Sequence, residues 1–478
     1  MNLKIVILII QNLNNKYYNT SELFRLFYIK NKKLHILFIG DIMNEKGKSL
    51  WIDTVQLPSF SSLDEDIKTD VVVVGGGICG ILCAYYLIKE GKKVIVVEKN
   101  KVGMGITKNT TAVITAQHDI LYSTRIKKDG FEKAKQYLEA NLMALKEYYN
   151  LSKKFDFDFE EKDSYIYSTI DEKSIVEEVE ALKKLGINAE YVDKIALPFS
   201  IKGAVRFPKQ AQMNALKLIN CLIKEIKVYE NTNVVDIKKN IVYTDNHKIE
   251  AKTIIVTTHY PFIDRLGMYY TKMFQNRSYV IAIKNDKDIG GTYTNLETSG
   301  FYFRNYKNYL LIGGNDHKTA NGGYHYENLI SFVSNAYPNS KIEYMWANQD
   351  CITLDDIPYI GKYSNFSESL YVATGFNLWG MTQSMISALI LRDLVMNRSN
   401  EYQKLYNPNR NIFKKQLFIN LGSYLKNLLN FRKKRCPHLG CALVWNDEEQ
   451  TWDCPCHGSR FTKKGKLIDN PSNKDLNL

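Results

Sequence analysis

Apolar positions along the chain change period several times, and the changes mark its elements. From Asp70 to Val74 every residue after the first is apolar, as in a strand buried on both faces. Residues 78–89 keep helical spacing and stop before Gly91. Residues 93–98 form a second mostly apolar run. Strand, helix and strand in this order open a parallel sheet. Residues 130–154 predict a long amphipathic helix, and residues 171–185 another, with Asp171 as N-cap and Gly186 just past its end. Residues 278–313 alternate short β-rich runs with Gly and Asn turns, which predicts an antiparallel sheet. Residues 370–374 predict a late strand and residues 381–396 a late helix. Asn407-Pro408-Asn409 breaks the chain. Residues 413–431 then place Phe413, Leu417, Leu421, Leu425 and Leu428 on one helical face, directly before four basic residues, 432–435. Docking of that face on the preceding domain is the expected arrangement; an interfacial membrane helix is the alternative.

The chain has 478 residues, enough for two or three domains. Residues 1–42 share no pattern with the rest. Gly40-Asp41 is compatible with a ribosome-binding sequence just ahead of Met43, so Met43 is the expected native start. The expected division is an extension at 1–42, a large domain at 43–400, a linker with the amphipathic helix at 401–431, and a small segment at 432–478. The net charge of +13 sits at the two ends: residues 1–42 carry +4 and residues 401–478 carry +7. A nucleic-acid binder shows a basic stripe across a folded face, so solvated tails are expected and nucleic acid is not a partner. No apolar run reaches the ~18 residues of a membrane span, and no small-residue cleavage site follows the short run at residues 5–10. A cytoplasmic location is expected.

Two motifs carry the chemistry. Gly75-Gly76-Gly77-Ile78-Cys79-Gly80 is a GxGxxG between a predicted strand and a predicted helix. Gly75 permits the tight turn, Gly77 lets backbone approach a pyrophosphate, and Gly80 lets helix and strand pack closely. Glu98 ends the second strand where an acid hydrogen-bonds a ribose hydroxyl. At the other end, Cys436, Cys441, Cys454 and Cys456 crowd together with His438 and His457, whereas the other four cysteines are scattered singly. Such a cluster reads as a metal site, for zinc or for iron.

From Asp70 to Met396 the chain resembles the D-amino-acid oxidase-like flavoprotein superfamily, which includes glycine and sarcosine oxidases. The matching stretches are Gly103-Met104-Gly105-Ile106-Thr107 with Thr110, Thr111 and Ala112; Asn231-Thr232-Asn233-Val234; Leu354-Asp355-Asp356-Ile357-Pro358-Tyr359-Ile360-Gly361; and Ala373-Thr374-Gly375-Phe376 followed by Trp379-Gly380-Met381-Thr382. The resemblance implies an α/β fold, a Rossmann-like FAD-binding domain with an inserted α+β substrate domain. FAD would lie along Gly75, Gly77, Gly80, Glu98, Thr107, Thr111, Val234, Gly375, Phe376, Gly380 and Met381. Tyr302-Phe303-Arg304 resembles the segment whose arginine holds a substrate carboxylate; a surface arginine at a turn is the alternative. His118, after the Thr-rich stretch, is a candidate acid/base or a hydrogen-bonded loop histidine.

Cys436-Pro437-His438-Leu439-Gly440-Cys441 and Cys454-Pro455-Cys456-His457-Gly458-Ser459 resemble the two cluster loops of Rieske proteins, especially those of bc-type cytochrome complexes. The resemblance implies a [2Fe–2S] cluster held by Cys436, His438, Cys454 and His457, and a disulfide between Cys441 and Cys456. Such ligation raises the potential into the ~−150 to +300 mV range. The segment is short, so a small all-β Rieske-type unit lacking its first strands is expected. The order flavoprotein then Rieske resembles a bacterial group of fused oxidoreductases. Three activities stay open: oxidation of an amine or amino acid with electrons passed through the cluster to an unknown acceptor, the same oxidation with a vestigial cluster segment, or an electron relay without a small substrate.

Overall fold

In the computed structural model the described residues are 47–477, apart from 265, 298–299 and 432–433. The expected extension at 1–42 and the expected start at Met43 lie outside them.

The apolar run behind Asp70 forms the strand Ile67–Val74. It sits inside a sheet ordered Tyr359–Lys362, Leu370–Thr374, Lys248–Val256, Ile67–Val74, Val94–Val97, Lys227–Tyr229. Neighbours run parallel except at the edge strand Tyr359–Lys362. Alternate side chains serve two cores. Val71 and Val73 join the core under the helices Ile78–Lys89 and Gly380–Val395, while Val72 and Val74 join the one under Val234, Ile237 and Tyr260. Burial on both faces explains why the strand has no polar alternation.

The second sheet has nine strands among the described residues. Met273–Lys284 pairs antiparallel with both Tyr309–Lys318 and Ile342–Thr353, and Phe301–Tyr306 follows beyond Tyr309–Lys318. This is the antiparallel sheet expected from residues 278–313. One parallel pair, Gly291–Asn295 with Glu160–Ser168, splices it to earlier strands. The long helix is Phe131–Ser152, and Asp171 caps Glu172–Lys184 by accepting from Ser174 N at 3.0 Å.

The third sheet is Val444–Asn446, Thr451–Asp453, Arg460–Thr462 and Leu467–Asp469, all antiparallel. Its core holds little beyond Leu443, Phe461, Leu476 and four cysteines. So small a core does not support a free-standing domain. The sheet is held instead by polar docking. The Glu448 carboxylate accepts from the backbone of His325 and Tyr326, at the exposed N–H groups that open the helix His325–Ala336. Glu449 forms a two-pronged pair with Arg277 of the second sheet and also pairs with Arg460 at 2.7 Å.

The linker helix spans Lys415–Leu428. Its docked face differs from the expected one. Leu417 and Asn420 are buried, Asn420 donating to Thr271 O, but Leu421 and Leu425 point away from the protein. The line from Leu417 through Asn420 to Tyr424 follows the contact, because Tyr424 packs against the cysteine core.

Candidate active site

The carboxyl ends of Ile67–Val74 and Lys248–Val256 open onto a cavity of about 600 Å³, where ligands bind in open α/β sheets. Gly75 has φ +110°, and a Cβ there would meet Thr257 O at 2.9 Å. A Cβ on Gly80 would lie 2.0 Å from Gly75 O, so the helix packs this closely only with glycine. Gly77 is the N-cap of Ile78–Lys89 and supplies no side-chain cap, which leaves helix N–H groups toward the cavity. Ile78 N donates to Thr107 Oγ1 at 3.0 Å. Glu98 accepts from Gly76 N at 2.8 Å and from Asn100 N at 2.9 Å. Burial raises its pKa above the ordinary carboxylate value, against those two bonds.

Of the residues expected along FAD, Gly75, Gly77, Glu98, Thr107, Val234, Phe376, Gly380 and Met381 line this cavity. Gly80 and Gly375 do not; they are packing positions, since a Cβ at Gly375 would strike Thr353 Cγ2 at 2.3 Å. Thr111 lines an adjoining cavity. Three polar atoms in the first cavity, His259 Nε2, Asn348 Oδ1 and Ser384 Oγ, are buried without a hydrogen-bond partner. A cleft of this volume with a glycine turn, a helix N-terminus and unsatisfied polar atoms fits a dinucleotide.

The adjoining cavity measures about 270 Å³ and shares Asn348, Asp350, Leu378, Gly380 and Met381 with the first. It is lined by four carboxyl groups, Asp119, Glu297, Asp316 and Asp350. Burial pushes Asp350 and Asp316 up to about 7, with Asp350 also raising Asp316, and burial pushes Asp119 up to about 6. Asp350 accepts from Asn348 at 2.8 Å, and Asp316 Oδ1 has no partner.

Of the two residues proposed from sequence for catalysis, Arg304 stands in the wall of the second cavity and His118 does not. Arg304 lines the second cavity but is 1% exposed and does not present a free fork. Its Nε donates to Asn305 O, and Nη1 reaches the carbonyls of Thr111, Ala112 and Met213; Nη2 has no partner. Period-2 alternation turned the side chain into the wall. His118 reaches neither cavity. It is buried behind Trp379, stacked at 4.6 Å, with Nδ1 on Tyr137 Oη and Nε2 on Thr115 O. Burial holds its pKa down to about 3, so the ring is neutral.

The Cys/His loops come together. Cys441 and Cys456 are joined by a disulfide, and the Cys454 sulfur lies within 4.8 Å of theirs. A hydrogen bond from Cys436 holds the Cys454 thiol below its ordinary value. The imidazoles of His438 and His457 meet edge-on, 5.0 Å apart, and both side chains are buried. Nδ1 of each is buried without a hydrogen bond. Two unpartnered imidazole nitrogens beside two free thiols fit a mixed Cys/His metal cluster. Nε2 of His438 lies 2.9 Å from Asp264 Oδ2, a carboxylate placed to orient the ring.

Sequence reasoning did not reach the residues that seat these loops. Gln275 Nε2 donates to His457 O at 2.5 Å and to Asn470 O at 3.1 Å; Gln349 Nε2 donates to Gly458 O at 2.8 Å. Gln349 sits between Asn348 and Asp350, which line both cavities. Lys466, Ile468, Asp469, Asn470 and Ser472 of the last sheet in turn form one wall of the larger cavity.

Comparison with known proteins agrees with this geometry. Residues 70–394 match the family model described as FAD dependent oxidoreductase, and residues 397–478 match the Rieske [2Fe-2S] domain. The Rieske 2Fe-2S iron-sulfur protein YhfW of Bacillus subtilis is 34% identical, over 90% of this chain and 97% of its own length. The cytochrome b6-f complex iron-sulfur subunit 2 of Trichormus variabilis is 46% identical over 43 residues, 9% of this chain and 24% of that protein. Glycine oxidase from Geobacillus kaustophilus shares the fold with a TM-score of 0.63 at 19% identity, over 72% of this chain and 99% of that one. L-proline dehydrogenase from P. horikoshii does so with a TM-score of 0.59 at 18% identity, over 73% and 98%. Among the described residues no helix is long and apolar enough to cross a membrane. The chain belongs to the FAD-dependent oxidoreductase family and ends in a Rieske domain, so its cofactors are FAD and a [2Fe–2S] cluster.

Proposed function

We propose that this protein oxidises an amine or amino-acid-like substrate by hydride transfer to FAD, and that the electrons leave through the [2Fe–2S] cluster to a further acceptor. The observation that carries the reading is the shared wall. The strand Ile342–Thr353 gives Asn348 and Asp350 to both cavities and Gln349 to the cluster loop. FAD supplies the hydride acceptor and the cluster a one-electron carrier.

The chain's own residues do the rest. Gly75, Gly77, Glu98, Thr107 and Val234 bind the dinucleotide, while Phe376, Gly380 and Met381 frame the end where the two cavities meet. A substrate in the smaller cavity faces Asp316 and Asp350. Carboxyls held near 7 take a proton from an ammonium group at neutral pH, which frees the nitrogen lone pair that oxidation requires. Arg304 Nη2 offers one donor to a carboxylate oxygen. Cys436, Cys454, His438 and His457 hold the cluster.

The acid-lined cavity of about 270 Å³ favours a small substrate over a relay between proteins, and the unpartnered Nδ1 atoms favour an assembled cluster over a vestige. The test is anaerobic mixing with candidate amines and amino acids, followed by absorbance and EPR. Flavin bleaching followed by a reduced-cluster signal with average g of ~1.9 is expected. Bleached flavin beside a persistently oxidised cluster would sink the electron route; no bleaching with any amine would sink the substrate class.

A further inference from the structure

The helix Lys415–Leu428 docks by a narrow face and leaves a wide apolar one uncovered. Phe418 is 64% exposed, Leu425 55% and Leu429 65%, and the flanking Phe413 and Phe431 are 76% and 80% exposed. Phe418, Leu421, Leu425 and Leu429 follow spacings of three, four and four, so they form one stripe along the helix. Isolated exposed apolar residues are ordinary, but a contiguous stripe flanked by two further exposed aromatic rings is not.

Along the chain, the charge on either side of the helix is of one sign. Between Glu401 and Asp447 the sequence has nine Lys and Arg and no Asp or Glu. Lys415 and Lys426 are exposed and eleven residues apart, three helical turns, so they flank the same side of the stripe. The helix is also fixed in place. Asn420 bonds Thr271 O, Lys318 Nζ bonds Ser423 Oγ at 3.1 Å, and Arg435 donates to Leu428 O at 2.9 Å and Gly440 O at 2.8 Å. A buried anchor keeps the opposite stripe turned outward. An apolar stripe bordered by cations complements one kind of surface, apolar beneath and anionic at its face.

We propose that this helix and its flanks seat the protein on an anionic phospholipid bilayer, with Phe413, Phe418, Leu421, Leu425, Leu429 and Phe431 at the headgroup and acyl boundary. The helix lies in the plane of the interface and does not span it, since its 14 residues are fewer than the ~20 of a crossing. The docked face places the metal centre just behind the contact: Tyr424 lies 5.8 Å from the His457 ring.

The test is co-sedimentation of the full-length holoprotein with vesicles of phosphatidylcholine alone or mixed equally with phosphatidylglycerol. Binding to the mixed vesicles, weaker on pure phosphatidylcholine and reduced in about 0.5 M KCl, is expected. Phe418→Ser with Leu425→Ser should weaken it at least about tenfold while the flavin spectrum stays native. Reversing Lys415 and Lys426 to Glu should weaken it by about fivefold or more per site. Equal binding by the Phe418→Ser, Leu425→Ser variant would overturn the assignment. So would a concentration-dependent dimer that this variant abolishes, because a second copy would then cover the stripe.

Discussion

Replacing Glu449 by Gln tests what holds the Rieske sheet against the flavin domain. Glu449 lies between Arg277 and Arg460, with side chains 14%, 3% and 6% exposed. Burial alone would raise its pKa, but the two guanidinium groups prevail and hold it at about 2 instead of the ordinary 4.5. That difference corresponds to about 3 kcal/mol in favour of the charged form. Removing one partner from a buried ion pair independently costs about 3–5 kcal/mol, because the other charges stay buried and uncompensated. The contribution is fully present above pH 4.5 and is lost as pH falls toward 2, since the folded pKa lies below the unfolded one. Loss of about 3 kcal/mol raises the undocked population about 100-fold, so backbone amides of Thr451–Asp453 should exchange with solvent about 100-fold faster in Glu449→Gln at pH 7. Hydrogen exchange followed by mass spectrometry reads this directly. Exchange within about threefold of the parent would refute the reasoning and move the weight of docking to Gln275, Gln349 and Glu448.

Gly77→Val should give folded but colourless protein: its Cβ meets only Thr107 Oγ1 at 3.2 Å, so the branched side chain fills the cofactor's space rather than the fold's. Circular dichroism and flavin absorbance check this, and Gly80→Ala should by contrast lower the melting temperature. Asp350→Asn should flatten the pH dependence of stability. With Asp350 raised to about 7, its own contribution to stability is fully present below about pH 4 and is lost as pH rises through 7; melting temperatures between about pH 5 and 8 show whether the variant loses that slope. His118→Gln should change kcat/KM by less than about tenfold, because the ring touches neither cavity; complete loss of turnover with native flavin content would restore His118 to the chemistry.

What could be read in the sequence was local. The fingerprint glycines and the Cys/His loops each sit within a few residues of one another, so spacing alone carries their geometry. The second cavity is assembled by register. Ser278 faces Asn348, Asn276 faces Asp350, and Arg277 faces His317, pairings between residues 40 to 74 positions apart. No window around Asp316 or Asp350 shows that they meet. Arg304 illustrates the same limit: its motif was visible, but only the sheet decides which face of Phe301–Tyr306 carries it. On the helix Lys415–Leu428, the apolar line through Leu417, Leu421 and Leu425 was visible, but tertiary contact chose the face of Leu417 and Asn420.

The small core of the Rieske sheet becomes intelligible once its neighbours are counted as part of it. A cluster loop needs donors for its backbone carbonyls and apolar cover for its cysteines. Here the donors are Gln275 and Gln349 from the flavoprotein sheet, and the cover includes Tyr424 from the linker helix. The histidine edges face inward, toward Asp264, Tyr260 and Tyr270, and not toward solvent. A cluster held this way gives up mobility. It gains a fixed position beside the cavity that Lys466, Asn470 and Ser472 help to enclose. Binding of the dinucleotide and docking of the last sheet therefore stabilise each other, because each supplies part of the other's surface.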